Sequence, residues 1–178
     1  MKKIVILSSS PRKNGNTESL CRQFEKGALE SGHQVEFVRV ADMKLGYCQA
    51  CYVCKSTGKC FQEDGLNELA QKLIEADVIV FSSPAYFYNM TGQMKVLIDR
   101  LLCFYNDIKN KDIYIFTAAW EPDPAKLDAV AEAIRGCTRD CFPDCAEKGV
   151  ILATGAYDLG EIEGRPELQQ AYEMGKNC

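Results

Sequence analysis

The chain has 178 residues, 47% hydrophobic and 26% charged, with a formal net charge of −4. This is the balance of a soluble globular protein long enough to bury an ordinary core, and its size predicts one domain over residues 1–178. The acidic balance and the lack of a basic stripe exclude nucleic acid as an expected partner. No apolar run approaches a membrane span, so no membrane association is expected. The start Met1-Lys2-Lys3-Ile4-Val5-Ile6-Leu7 is too short for a signal h-region, which predicts a cytoplasmic protein. Ten cysteines are unusual at this size, and in a reducing compartment they gain weight as metal or redox groups.

Strand and helix patterns alternate along the chain. Lys3–Leu7, Gln34–Arg39, Val78–Phe81, Ile113–Phe116 and Val150–Thr154 are the strand candidates. The first, third and fourth are continuous apolar runs, as in strands covered on both faces. Leu20, Phe24 and Ala28 mark a first helix that Gly32 stops. Leu66, Leu69, Ala70, Leu73 and Ile74 form a second stripe. Met94, Leu97, Ile98, Leu101 and Leu102 form a third, with Thr91 as N-cap. Leu127, Val130, Ala131 and Ile134 form a fourth, capped by Asp123-Pro124. A short final helix contains Ala171–Met174. Five strands alternating with helices predict an α/β fold with a mostly parallel sheet, and ligands then bind beyond the strand carboxyl ends.

The loop after the first strand, Ser8–Thr17, is hydroxyl- and amide-rich and carries Arg12 and Lys13. It contains neither Gly-x-x-x-x-Gly-Lys-Ser/Thr nor Gly-x-Gly-x-x-Gly, which disfavours a nucleotide triphosphatase or a dinucleotide-binding dehydrogenase. A loop of this kind suits one terminal phosphate monoester, held by Ser10, Asn16 and Thr17 and by backbone N–H groups at a helix start. It equally suits a plain polar turn with Thr17 as N-cap. The loop after the third strand, Ser82–Met90, places Tyr86, Phe87, Tyr88 and Asn89 at a strand end. Three consecutive aromatics cannot all face inward, so at least one meets a flat ligand or an interface. Trp120 follows the fourth strand, over either a ligand or the core.

Taken together, Ser10–Thr17, Ser83–Lys95 and Ile98-Asp99-Arg100 resemble the NAD(P)H-dependent FMN reductase group of the flavodoxin-like superfamily. The resemblance implies a three-layer sandwich around a five-stranded parallel sheet, with FMN as cofactor. It implies Ser10, Arg12, Asn14, Asn16 and Thr17 at the FMN phosphate. It places Pro84, Ala85, Tyr86, Phe87 and Asn89 along the isoalloxazine, and Thr117, Ala118, Ala119 and Trp120 on its other side. Tyr86 and Tyr88 are the expected contacts to flavin or substrate. Ser9, also expected at the cofactor, stands where the group usually has glycine. If that position needed a positive φ, a small backbone adjustment would follow. The implied activity passes electrons from NAD(P)H through FMN to a quinone, flavin, nitro or azo compound, or to a redox protein. The implied assembly is a homodimer or tetramer. No side chain is assigned as catalytic acid or base.

A cysteine-rich insertion spans about residues 46–62. Cys48, Cys51, Cys54 and Cys60 are spaced as soft thiolates that converge on one centre. The spacing resembles the iron–sulfur flavoproteins, which implies a [4Fe–4S] cluster beside FMN and an electron carrier without substantial NAD(P)H oxidation as the alternative function. A structural zinc and cluster-free thiols are the other readings. Cys21 and Cys103 are expected in the core. Cys137, Cys141 and Cys145 share a spacing that Pro143 interrupts. Cys178 and His33, the sole histidine, are expected at the surface.

Overall fold

The computed structural model describes residues 1–178. Five strands, β1 (Lys3–Ser8), β2 (Gln34–Arg39), β3 (Val78–Pro84), β4 (Asp112–Ala118) and β5 (Ala146–Ala153), form one sheet in the order β2-β1-β3-β4-β5. Every pairing is parallel. This is the flavodoxin-like order, whose switch point lies between β1 and β3. The helices are α1 (Asn16–Glu30), α2 (Val53–Thr57), α3 (Leu66–Glu75), α4 (Gly92–Arg100), α5 (Pro124–Thr138) and α6 (Pro166–Lys176). No helix is long and apolar enough to cross a membrane.

The alternation of side chains along each strand divides the core in two. Ile4, Ile6, Val78, Val80, Tyr114 and Phe116 face α1 and α6, packing on Leu20, Phe24 and Ala171. Val5, Leu7, Ile79, Phe81, Ile113 and Ile115 face α3, α4 and α5. Continuous apolar runs are thus what a sheet covered on both faces requires.

The expected caps form. Thr91 Oγ1 accepts from Met94 N at 3.3 Å, and Asp123 Oδ1 accepts from Ala125 N at 2.9 Å. Gly32 turns the chain at φ 79°. Several expectations are corrected. β5 begins at Ala146, four residues before the apolar run: it is an edge strand, its first three residues are exposed, and its register shifts against β4 at Ile113/Tyr114. α4 ends at Arg100, so Leu102 falls in a 3-10 turn and is exposed rather than inward. Cys103 lies in the same turn, half-buried. His33 is half-buried, and its Nδ1 accepts from Lys2 N at 3.1 Å. Cys178 is half-buried under α6. α5 stops at Thr138, so Cys141 and Cys145 leave the helix that holds Cys137.

Candidate functional site

The loop after β1 meets the start of α1 at the sheet switch point. Gly15, not Thr17, is the N-cap (φ −72°, ψ 166°), and it brings no side chain to close the helix end. The N–H of Ser19 bonds Gly15 O at 2.9 Å. The backbone N–H groups of Asn16, Thr17 and Glu18 precede the first helical donor, Ser19 N, so they have no acceptor within the helix and point out of its start, with the helix dipole behind them. A Cβ on Gly15 would lie 3.2 Å from Ser10 Oγ and 3.3 Å from Arg12 O, so the cradle is shaped for glycine. Glu18, buried in this first turn, is neutralised by Arg39 and by Arg22, the latter at 3.6 Å. The end of α1 therefore remains electropositive and anion-accepting.

A segment beyond β5 closes one side. Arg12 Nη1 donates to Tyr157 O at 2.6 Å, and its guanidinium lies 5.2 Å from the Tyr157 ring centroid. Asn16 Nδ2 donates to Asp158 O at 3.0 Å, and Asn16 Oδ1 accepts from Ile162 N at 3.3 Å. Glu161 accepts from the N–H groups of Tyr157 at 2.5 Å and Asp158 at 2.9 Å. Those two donors hold its carboxyl below the usual range.

The aromatic loop is a tight hairpin. Tyr86 and Asn89 exchange backbone hydrogen bonds of 2.9 and 3.0 Å around Phe87 and Tyr88. Both central residues are left-handed, with φ 51° and 58°. This is the primed-turn geometry that glycine and asparagine usually fill, so two aromatic residues there store local strain. Tyr88 Oη donates to Glu121 Oε2 at 2.8 Å, tying the hairpin to the loop after β4. That hydrogen bond, followed by one from Asp123 N, holds the Glu121 carboxyl below its ordinary range.

One cleft results. It is lined by Ser10, Arg12, Asn16, Thr17, Pro84, Ala85, Tyr86, Ala118, Ala119 and Trp120, all anticipated, and by Gly15, Ala156 and Tyr157, which were not. Ala156 and Tyr157 follow β5, where Gly155 (φ 62°) breaks the strand direction; that glycine was the available signal, whereas Gly15 lies within the Ser8–Thr17 loop already singled out.

Other expected residues lie off the cleft. Ser9 is buried; its Oγ donates to Ser82 O at 3.0 Å and accepts from Thr91 Oγ1 at 2.9 Å. Its φ is not positive, so no glycine is required there. Asn14 is exposed in a left-handed turn. Phe87 is fully exposed at the hairpin tip, and Tyr88 turns to Glu121. Asn89 is exposed, and its Oδ1 accepts from its neighbour Met90 N at 2.8 Å. Thr117 is buried below the cleft with its hydroxyl unpaired.

The residues present fit FMN. Uncapped helix amides beside Arg12 suit a phosphate dianion. Flat walls from Pro84–Tyr86 and Ala118–Trp120 suit a heteroaromatic ring.

A second pocket lies in the cysteine segment. Cys48, Cys51, Cys54 and Cys60 all line it, joined by Cys103 and Arg100. Cys51 is flanked by Ala50 and Tyr52, both left-handed at φ 50° and 58°, and the unanticipated short helix α2 follows. Cys48 and Cys51 are exposed. The soft donor set fits a thiolate-ligated centre. The sequence expectation of four gathered sulfurs is met only as far as the shared pocket. No three His, Cys, Asp or Glu side chains are close enough together to hold a metal ion. The space open to water there is about 30 Å³, enough to admit a water molecule.

A family model for NADPH-dependent FMN reductases matches residues 2–135. The chain belongs to that family. An iron-sulfur flavoprotein of Methanocaldococcus jannaschii is 41% identical over 98 residues, 55% of this chain and 51% of that protein. One from Archaeoglobus fulgidus is 40% identical over 102 residues, 57% of this chain and 46% of that protein. The chain thus spans about half the length of the curated relatives it matches. Among solved structures, the NAD(P)H:quinone oxidoreductase of Methanothermobacter marburgensis superposes with a TM-score of 0.75 at 18% identity, covering 99% of this chain and 98% of that one. An azoreductase of Bacillus anthracis superposes with a TM-score of 0.77 at 15% identity, covering 100% of both chains. These two show the shared fold of this FMN reductase family member.

Proposed function

We propose that residues 1–178 form one FMN-binding domain that acts as an NAD(P)H oxidoreductase, delivering electrons to a small acceptor such as a quinone, flavin, nitro or azo compound, or to a redox protein. The observation that carries this reading is the single cleft at the carboxyl ends of β1, β3 and β4, with an uncapped helix start and Arg12 at one end and Tyr86 and Trp120 at the other. Flavin, when bound, supplies hydride acceptance and electron delivery. The chain binds, orients and shields. Arg12 and the α1 amides hold the phosphate, and Gly15 keeps the approach close. Ala85 and Ala118, joined by a 3.1 Å hydrogen bond from Ala85 N to Ala118 O, fix the two walls against each other. Trp120, 70% exposed, leaves the rim open for a nicotinamide. No acid or base in the cleft is assigned a proton transfer. The fully exposed Phe87 beside this rim supports a homodimer or tetramer that covers it, readable by analytical ultracentrifugation.

The deciding experiment is an anaerobic titration of the FMN-loaded protein with NADH and with NADPH, followed by flavin absorbance. Bleaching by either donor supports the reading. Failure to bind FMN at saturation, or bound flavin that neither donor bleaches, refutes it.

The cysteine pocket favours a second reading: an iron–sulfur flavoprotein that carries electrons between FMN and a one-electron partner. Iron and sulfide assays on anaerobically prepared protein, with its absorption spectrum, test it. Flavin bands without bound iron after reconstitution refute it.

A further inference from the structure

Arg100 is the last residue of α4, and it is buried. Its guanidinium is anchored in a fork by Asp64, with Nη1 to Oδ2 at 2.9 Å and Nη2 to Oδ1 at 3.1 Å. The remaining donors reach the cysteine segment at both ends. Nη1 donates to Gly46 O at 2.6 Å, and Nη2 donates to the Cys60 sulfur at 3.2 Å. Asp64 Oδ2 also accepts from Gly46 N at 3.0 Å. Cys60 is clamped a second time by Asn67, whose Oδ1 accepts from Cys60 N and whose Nδ2 donates to Cys60 O, both at 2.9 Å. Between these fixed ends lies an exposed turn with two left-handed, non-glycine residues. The ends are rigid and the middle is strained. Arg100 Nε is buried without any partner, so this cation in the pocket wall has donor capacity to spare.

We propose that Arg100 is the positioning residue of the cysteine site: it pins both ends of the segment and presents Cys60 as the fixed ligand onto which the strained Cys48–Cys54 turn closes around an iron–sulfur centre. The inference rests on the second reading above. Four thiolates outweigh the positive charge of an iron–sulfide core, so the loaded site is anionic, and a buried cation beside it favours its formation. A hydrogen bond from N–H to a ligating sulfur also favours the more negative, reduced state, which raises the potential.

The test compares wild type with Arg100→Gln, Arg100→Lys, Asp64→Asn and Lys55→Gln, each reconstituted anaerobically with ferrous iron and sulfide. The readouts are the cluster midpoint potential, and hydrogen exchange of residues 46–60 before iron is added. Arg100→Gln should lower the one-electron reduction equilibrium constant about tenfold, or 59 mV. Arg100→Lys should recover part of that, since it keeps the charge but loses the fork. Asp64→Asn should shift the potential upward by removing the compensating anion. Lys55→Gln, an exposed cation in the same segment, should change the constant less than twofold. Exchange of residues 46–60 should quicken in Arg100→Gln while β1–β4 stay protected. A potential and exchange pattern unchanged in both Arg100 variants overturns the proposal, as does a Lys55→Gln shift as large as that of Arg100→Gln. Wild type that takes up no iron overturns the cluster reading and the tuning with it. The exchange data then decide separately whether Arg100 pins the segment. If Arg100→Gln fails to fold, the opposite signs expected for Arg100→Lys and Asp64→Asn still decide the matter.

Discussion

Replacing Gly27 by alanine should unfold this protein far more readily than replacing Gly136, although both glycines are helical. Gly27 lies where α1 crosses α6. A Cβ there would sit 2.1 Å from Tyr172 O and 2.8 Å from Lys176 N, both backbone atoms. Reaching an ordinary contact of 3.4 Å requires the helices to part by about 1.3 Å, and neither obstacle can rotate away. Parting them loosens α6 from the face built on Phe24 and Phe116. The cost belongs at the upper end of the overpacking range, about 3 kcal/mol. For a chain of this length that is a fall in Tm of roughly 6–12 °C. Gly136, exposed in α5, meets nothing within 4 Å. Alanine there should gain about 0.5–1 kcal/mol through helix propensity and a less flexible unfolded chain. Thermal unfolding followed by circular dichroism, with urea midpoints as a second measure, checks both. Gly27 is also about 18 Å along α1 from Gly15, so folded Gly27→Ala should bind FMN within about twofold of wild type. A Gly27→Ala melting point within about 2 °C of wild type, or a Gly136→Ala loss of equal size, would refute the packing argument.

Three other outcomes are expected. Arg12→Ala should weaken FMN binding about two- to fivefold, as expected for an exposed cation facing a phosphate, and riboflavin binding by less, through the lost contact to Tyr157 alone; paired fluorescence titrations of the two ligands read this. Glu161 has a depressed carboxyl in the folded state. Its contribution to stability is therefore present above the ordinary carboxylate pKa and is lost as pH falls through the lower folded value. Glu161→Gln should accordingly show a shallower loss of stability below about pH 4.5 than wild type, by urea unfolding at stepped pH. Finally, burial pushes the Cys21 and Cys137 thiols up to about 12, so at pH 8 both should resist iodoacetamide for hours. Exposed Cys48 and Cys51 should label within minutes, by peptide mass spectrometry of the metal-free protein.

Much of the site was legible because its signals are local. The apolar runs of β1, β3 and β4 reveal strands covered on both faces, and the loops leaving them carry Ser10, Arg12, Thr17, Ala85, Tyr86 and Trp120 into the cleft. β5 was legible only in part, since an edge strand that opens with Ala146-Glu147-Lys148 breaks the apolar pattern. Within the aromatic loop, composition showed that not every ring faces inward. Only the backbone showed that Phe87 and Tyr88 occupy a primed turn that sends one to solvent and the other to Glu121.

By itself, then, the sequence determined the strand–helix alternation, the phosphate-type loop, the aromatic loop and the family, because each rests on residues adjacent in the chain. The tertiary structure decided what depends on distant segments meeting. Ser9 turns inward to Thr91, 82 residues away in sequence, instead of facing a ligand. Tyr157 reaches Arg12 across 145 residues. Arg100, 40 residues after Cys60, places its guanidinium against that sulfur. Periodicity and composition describe a single element and its neighbours. A hydrogen bond between elements is fixed by sheet order and helix packing, and those exist only once the chain has folded.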